Sequence, residues 1–183
     1  MTAFARNQSL NAVTAVLFGL TFWRLGTTSE LLAVFAFIFG GVLLAVIDWK
    51  VKRLPTRLVY FTLAGVTAGL LLAAVLESDW RPLATSAAGA VLFANAFALV
   101  YLLGRKVFGM MLVGFGDVRL ALVLGLLLGW YGLEWVLYGA IVGNLLVLVL
   151  AIATCIRQRK LVLRFSFGPS LIAGAWLAVM IHG

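Results

Sequence analysis

Histidine and cysteine occur once each, as His182 and Cys155. A lone histidine at the far end of the chain rules out Ser-His catalysis and His-Glu-x-x-His zinc chemistry near the basic loops. A single cysteine makes no internal disulfide and no Cys-x-x-Cys redox or zinc site, so Cys155 reads as a small buried hydrophobe. Charge is also scarce, at 11% of 183 residues, and acid is the scarcer sign: six carboxylates stand against 14 lysines and arginines. No cofactor and no metal site is expected from this inventory.

Apolar residues fill the remainder. Hydrophobic side chains make up 64% of the chain and mean hydropathy is +1.15. A soluble core of this size needs far less, so the composition indicates an all-α polytopic membrane protein. A span takes about 20 apolar residues, and apolar runs fall at 10–23, 31–47, 58–76, 83–103, 118–130, 133–156 and 167–181. About seven transmembrane helices are therefore expected, in a single membrane-embedded domain over 1–183 with no room for a soluble one. The first run is read as a retained helix rather than a cleaved signal, because no small-residue cleavage site follows it.

With seven spans, every basic residue except Arg24 and Arg81 falls on one side of the membrane. The positive-inside rule makes that side cytoplasmic, with the N-terminus cytoplasmic and the C-terminus outside. The +8 net charge is explained by anionic lipid headgroups as partners, without nucleic acid. Glu30, Glu77, Asp79 and Glu134 fall outside; Asp48 and Asp117 alone fall inside, each where a loop meets a helix. Trp23, Trp80, Trp130 and Trp135 map to the outer interface as an aromatic belt, and Trp49 to the inner one. The patterns Gly65-x-x-x-Gly69, Gly125-x-x-x-Gly129 and Gly139-x-x-x-Gly143 suit close helix approach, and Asn95 and Asn144 are expected to hydrogen-bond between helices.

Ionisable groups held at a membrane helix are costly and read as functional. Gly114 and Gly116 are expected to let the backbone turn sharply before Asp117. Two carboxyls within reach of each other do not both ionise readily, so one activates water while the other donates to a carbonyl, the division of labour that peptide hydrolysis needs. From their own helix ends, Asp117 is expected to be the carboxylate and Asp48 the acid. A capping role would explain Asp117 alone but not Asp48, which lies at a helix C-terminus. An ion- or proton-coupled carrier using the same aspartates, or an inactive assembly factor, are the competing readings. A carrier would place its charges near the midplane between repeats.

Gly114-Phe115-Gly116-Asp117-Val118-Arg119-Leu120 resembles the second catalytic motif of the type IV prepilin peptidases, membrane aspartyl proteases of the Gly-x-Gly-Asp class. Ile47-Asp48, with the basic run and Leu54-Pro55 after it, looks like the first motif, and Phe167-Gly168-Pro169 is similar to the C-terminal signature. The order and spacing agree from about residue 41 onward. Thr56 stands where members often have Asn or Asp. The resemblance implies an aspartic endopeptidase of the prokaryotic plasma (inner) membrane. It would cut pilin-like precursors at the cytoplasmic face, after a basic leader and beside an apolar helix, with Asp48 and Asp117 catalytic and Gly114, Gly116, Pro55, Gly168 and Pro169 supporting. Many members carry an insertion with paired cysteines and methylate the new N-terminus. This chain has no such insertion and only one cysteine, so the resemblance is to a short, peptidase-only form, and it argues against N-methyltransferase activity. Archaeal preflagellin peptidases and presenilin-like proteases share the chemistry and are neighbouring possibilities for substrate.

The charge asymmetry carries a topological expectation. Reporter tags at Lys52, Arg105 and Arg159 should read cytoplasm, and tags at Asp79, Glu134 and His182 should read outside. A tag at His182 that reads inside would mean one of the seven runs does not cross.

Overall fold

The computed structural model describes residues 2–51, 54–107, 114–158 and 167–182. All regular structure among them is helical: α1 (Thr2–Leu25), α2 (Leu31–Val51), α3 (Thr56–Glu77), α4 (Arg81–Val107), α5 (Phe115–Tyr131), α6 (Leu133–Gln158) and α7 (Gly168–His182). The seven helices match the seven apolar runs. Within the bilayer a chain must satisfy its own backbone, and uninterrupted apolar sequence does so as helix. The three prolines mark the starts: Pro55 caps α3, while Pro82 and Pro169 each stand second in α4 and α7. Proline fits there because first-turn N–H groups have no partner within the helix. Gly26, at φ +64°, and Gly132, at φ +124°, turn the chain into α2 and α6.

α2, α3, α4 and α6 are long and apolar enough to cross a membrane; α5 and α7 are shorter, at 17 and 15 residues. Two outcomes extend the expected boundaries. α1 begins at Thr2 rather than at residue 10, and α4 continues through Arg105 to Val107. Lys52, Arg53, Met110, Met111, Arg159, Lys160 and Arg164 lie outside the described residues, as do the side chains of Arg6, Cys155 and Arg157.

α5 is the centre of the bundle and touches α2, α3, α4, α6 and α7. Its partners are held close by missing side chains. A Cβ on Gly125 would run into the Gly89 carbonyl of α4, and one on Gly129 would meet the Thr85 carbonyl at 2.6 Å. On the α2–α3 side, a Cβ at Gly69 would stand 2.6 Å from the Ala33 backbone, and one at Gly65 3.2 Å from the Ala36 methyl. Gly139 and Gly143 of α6 face Leu128 and Leu171 in the same way. All three small-residue patterns in the sequence thus lie at helix contacts, and Gly89 and Gly174 add facing positions that spacing alone did not single out.

Other expectations are corrected. Trp130 is not in a belt: it is 9% exposed and belongs to the core. Trp135 is half-buried and packs on Tyr138 and His182. Asn144 does not bridge helices; its Nδ2 donates to the Ala140 carbonyl one turn back in α6, at 2.9 Å. Asn95 is exposed on α4. Arg24 Nε donates to the Met180 carbonyl at 3.2 Å, where a cation suits the C-terminal end of α7.

The two ends of the bundle differ in chemistry. One gathers the end of α2 and the starts of α3, α5 and α7. The other gathers Arg24 with Met180, Ser29 with Glu77, and His182 against Tyr131 and Trp135. The packing argument yields a matched pair of variants. Gly125→Val should lower stability in a detergent melt by about 1–3 kcal/mol, the usual range for overpacking. Gly19→Val should leave the melt nearly unchanged, because a Cβ at Gly19 meets nothing within 4 Å. Equal melts for both would refute the close α4–α5 contact.

Candidate functional site

Asp48 lies at the C-terminal end of α2, as expected: it sits in the last turn, 5% exposed, with its helix held against the bundle by Leu44 and Gly41 one and two turns earlier. A Cβ at Gly41 would already stand 3.0 Å from Ile172 of α7, so α2 and α7 approach closely just below the carboxyl. The Gly168 N–H donates to Asp48 Oδ2 at 3.1 Å. Pro169, next in the chain, has no N–H, so Gly168 and not Pro169 supplies this donor. Gly168 must also be small: a Cβ there would stand 2.8 Å from Asp48 Oδ2 and 3.2 Å from Cγ. A glycine-proline pair opening an apolar helix was the sequence signal for this contact, and its partner 120 residues away was not readable from it.

Asp117 lies in the first turn of α5, 7% exposed. Its Oδ2 accepts the N–H of Gly114, the N-cap residue, at 3.0 Å. The capping expected of a lone aspartate at a helix start is therefore present, alongside burial. The glycines serve it by size rather than by turning. Gly114 has φ −78° and ψ 151°, ordinary extended backbone, and Gly116 is already helical. A Cβ on Gly116 would stand 3.0 Å from the Leu54 Cβ, so the link before α3 packs directly on the turn that carries Asp117.

Thr56 and Arg119 complete the frame. Arg119 Nη1 donates to Thr56 Oγ1, tying the start of α5 to the start of α3. Its guanidinium lies 4.7 Å from the centre of the Phe115 ring and 6.0 Å from that of Tyr60, positions that suit a cation over an aromatic face. This bond was not foreseen, because Thr56 and Arg119 are 63 residues apart and neither is unusual in type. Ser170 was also missed: it is 3% exposed, two residues past Gly168, with a buried Oγ that has no hydrogen-bond partner among the described residues.

The structure thus joins the three stretches singled out in the sequence. Asp48 touches Gly168, Leu54 touches Gly116, and Thr56 touches Arg119. Pro55, as the N-cap of α3, stands between Leu54 and Thr56 with φ −69° and ψ 118°. Asp48, at the end of α2, and Asp117, at the start of α5, are thereby gathered at one end of the bundle. One expectation about them loses its basis. Asp48 was to feel only the unfavourable end of its own helix, yet its carboxylate meets the N-terminus of α7, as Asp117 meets that of α5. The helix-end difference that was to separate acid from base is offset by α7, although Asp48 still lies in the last turn of α2. Among the described residues no three His, Cys, Asp or Glu side chains gather as a metal site.

A helical bundle with membrane-length apolar helices and two buried carboxyls at one end is a membrane protein with a polar centre built from separate helices. The family comparison fits that class. The model of the type IV leader peptidase family matches residues 34–158, a stretch that includes both aspartates. The chain belongs to the type IV leader peptidase family, and with its apolar helices it is a bacterial membrane protein. It is 31% identical over 163 residues to a prepilin leader peptidase/N-methyltransferase of Pseudomonas putida, an alignment covering 86% of this chain and 52% of the relative. The chain spans about half the length of that curated relative. No solved structure matches.

The Asp48–Gly168 bond predicts a stability difference. Asp48→Ala leaves the buried Gly168 N–H without its acceptor and should cost about 1–3 kcal/mol in a detergent melt. Asp48→Asn keeps an acceptor oxygen and should melt closer to wild type. Indistinguishable melts for the two variants would show that this bond carries no weight in the fold.

Proposed function

We propose that the protein is an aspartic endopeptidase that removes the basic leader from type IV pilin-like precursors at the cytoplasmic face of the plasma (inner) membrane. The observation that carries this reading is that Asp48 and Asp117, both buried, stand at the same end of the bundle. The two buried carboxyls come from different helices, and each is oriented by a backbone N–H at a helix start. Membership of the type IV leader peptidase family supports the substrate class.

The chemistry needs one carboxylate to take a proton from water and one carboxylic acid to donate to the peptide carbonyl. As the water oxygen attacks the carbonyl carbon, its proton passes to the carboxylate and the carbonyl oxygen is polarised by the acid. Collapse of the tetrahedral intermediate returns a proton to the leaving nitrogen. Gly168 and Gly114 keep the two side chains oriented before substrate arrives, which is where preorganised donors lower the barrier. No metal or cofactor takes part in this scheme.

The working orientation places the aspartate end in the cytoplasm. Its support is the distribution of basic residues along the sequence, which seven crossings would put on that side in every case but Arg24 and Arg81. A basic face attracts anionic headgroups but gives a basic leader no bulk attraction. Recognition therefore rests mainly on the precursor's apolar helix and on a small residue at the cut. With one cysteine in these 183 residues there is no cysteine pair, and N-methyltransferase activity is not part of the proposal. A proton- or ion-coupled carrier is the weaker reading, because both aspartates lie at one end of the bundle rather than near its middle. An inactive assembly factor would keep the fold and cut nothing.

Purified protein incubated with a pilin-like precursor separates these readings. Asp48→Asn and Asp117→Asn should each lower cleavage by at least about 10³-fold, as losing one member of a cooperating pair does. Gly168→Ala should lower kcat by about 10²-fold through displacement of the Asp48 carboxyl, and should lower the melt as well, because it disturbs the same Asp48–Gly168 bond. Either aspartate variant cutting at the wild-type rate would sink the dyad.

A further inference from the structure

An apolar groove of about 510 Å³ runs between α4 and α6. Its walls are Leu92, Ala96 and Val100 on one side and Leu137, Ala140 and Asn144 on the other, with Phe167 closing one end. The groove lies outside the aspartate site itself. We propose that it seats the apolar helix of the precursor, with the helix's first turn at the Phe167 end. This proposal rests on the peptidase reading and names the surface that holds its substrate.

Depth and continuity support that occupant. Phe167 immediately precedes Gly168, whose N–H holds Asp48. Asn144 follows Gly143, and a Cβ at Gly143 would stand 3.1 Å from Leu171 in the first turn of α7. Val100 precedes Tyr101, whose ring centre is 5.8 Å from that of Phe115, two residues before Asp117. The Phe167 end of the groove is therefore level with both carboxyls, and the opposite end, at Leu133, points away along the helix axes. A helix lying in it would bring the residues just before its own start to the aspartates.

The groove's shape and chemistry suit a helix. Leu92 to Val100 spans roughly 12 Å and Leu133 to Asn144 roughly 16 Å at 1.5 Å per residue, room for two to three turns. Ala96 and Ala140 are the small residues that let a helix backbone come close within a bilayer. Asn144 is the one polar side chain among the lining residues, and it is exposed. Its amide nitrogen is committed to Ala140, so its amide oxygen remains as an acceptor. The first turn of any helix has four N–H groups without internal partners. A precursor helix starting beside the cut presents those donors at the depth of Asn144. An acyl chain has none, so it would leave the Asn144 oxygen unpaired in hydrocarbon, where unsatisfied polar groups are costly.

The test uses the full chain in vesicles of phosphatidylethanolamine and phosphatidylglycerol, with a photoreactive residue at Leu137 in the Asp117→Asn background. Illumination with precursor should give an adduct to the precursor's apolar segment, and the same group at exposed Leu72 of α3 should not. Adducts from Leu137 only to lipid, or only to a second copy of this chain, would overturn the proposal. In the otherwise wild-type chain, Ala140→Trp fills the groove and should raise KM for the precursor about tenfold with kcat within about twofold, the signature of lost ground-state binding. A fall in kcat at unchanged KM would make the groove a mere support for the aspartates and would also overturn it. Wild-type protein that cuts the precursor while Leu137 yields no precursor adduct sinks the groove alone. Wild-type protein that does not cut sinks the peptidase reading on which it rests.

Discussion

The hydrogen bond from the Gly168 N–H to Asp48 Oδ2 is the constraint around which the rest of the bundle is arranged. It joins the end of the second helix to the start of the seventh. A buried carboxyl needs partners to offset its desolvation, and a buried helix start needs acceptors for its free N–H groups. Each requirement answers the other. The contact forms only if α7 begins where α2 ends, with no side chain between them. The Gly-Pro opening of α7 meets both conditions: the glycine leaves room for the carboxylate, and the proline withholds a second donor. Asp117 repeats the arrangement locally, through Gly114 of its own helix. The polar centre is thus assembled from backbone groups that the fold would otherwise have to satisfy in some different way.

Close approach of the helices is what brings those groups into register. Lipid tails are as apolar as leucine, so hydrophobicity alone does not choose helix partners in a bilayer; packing and hydrogen bonding do. Gly125 against Gly89, Gly129 against Thr85 and Gly69 against Ala33 bring neighbouring backbones almost into contact. α5 is fixed in this way along one face by α4, and its first turn is then fixed by Leu54 packed on Gly116 and by Arg119 bonded to Thr56. Small residues in the middle of the bundle therefore decide where Asp117 stands at its end.

The helices were legible in the sequence because membrane-length apolar runs leave few alternatives. The aspartates were legible because charge is so rare between those runs that two acids on one side stand out. What escaped was whatever depends on which helices touch. Trp130 looked like an interfacial residue because it ends an apolar run, but the helix that carries it is central, so the ring is covered on all sides. Asn144 looked like a bridge between helices, but its amide donates to a carbonyl one turn back in its own helix. The helix-end argument for Asp48 was sound for α2 alone. It was incomplete because α7 supplies the opposite helix end to the same carboxyl, a tertiary fact with no local trace. The glycines before Asp117 were read as a turn, whereas their backbone angles are ordinary and Leu54 is what requires Gly116 to be small.

The lengths of α5 and α7 carry a consequence for the depth of the polar centre. Their far ends are flush, since Tyr131 at the end of α5 stacks on His182 at the end of α7 with ring centres 4.6 Å apart. From that level, 17 and 15 residues reach back roughly 25 and 22 Å at 1.5 Å per residue, short of a hydrocarbon layer of about 30 Å. The shortfall falls at the aspartate end. Both helices are largely covered by their neighbours, so the shortfall is one of depth within the bundle. Asp117 and Gly168, each in the first turn of its helix, stand several ångströms deeper than a full span would carry them.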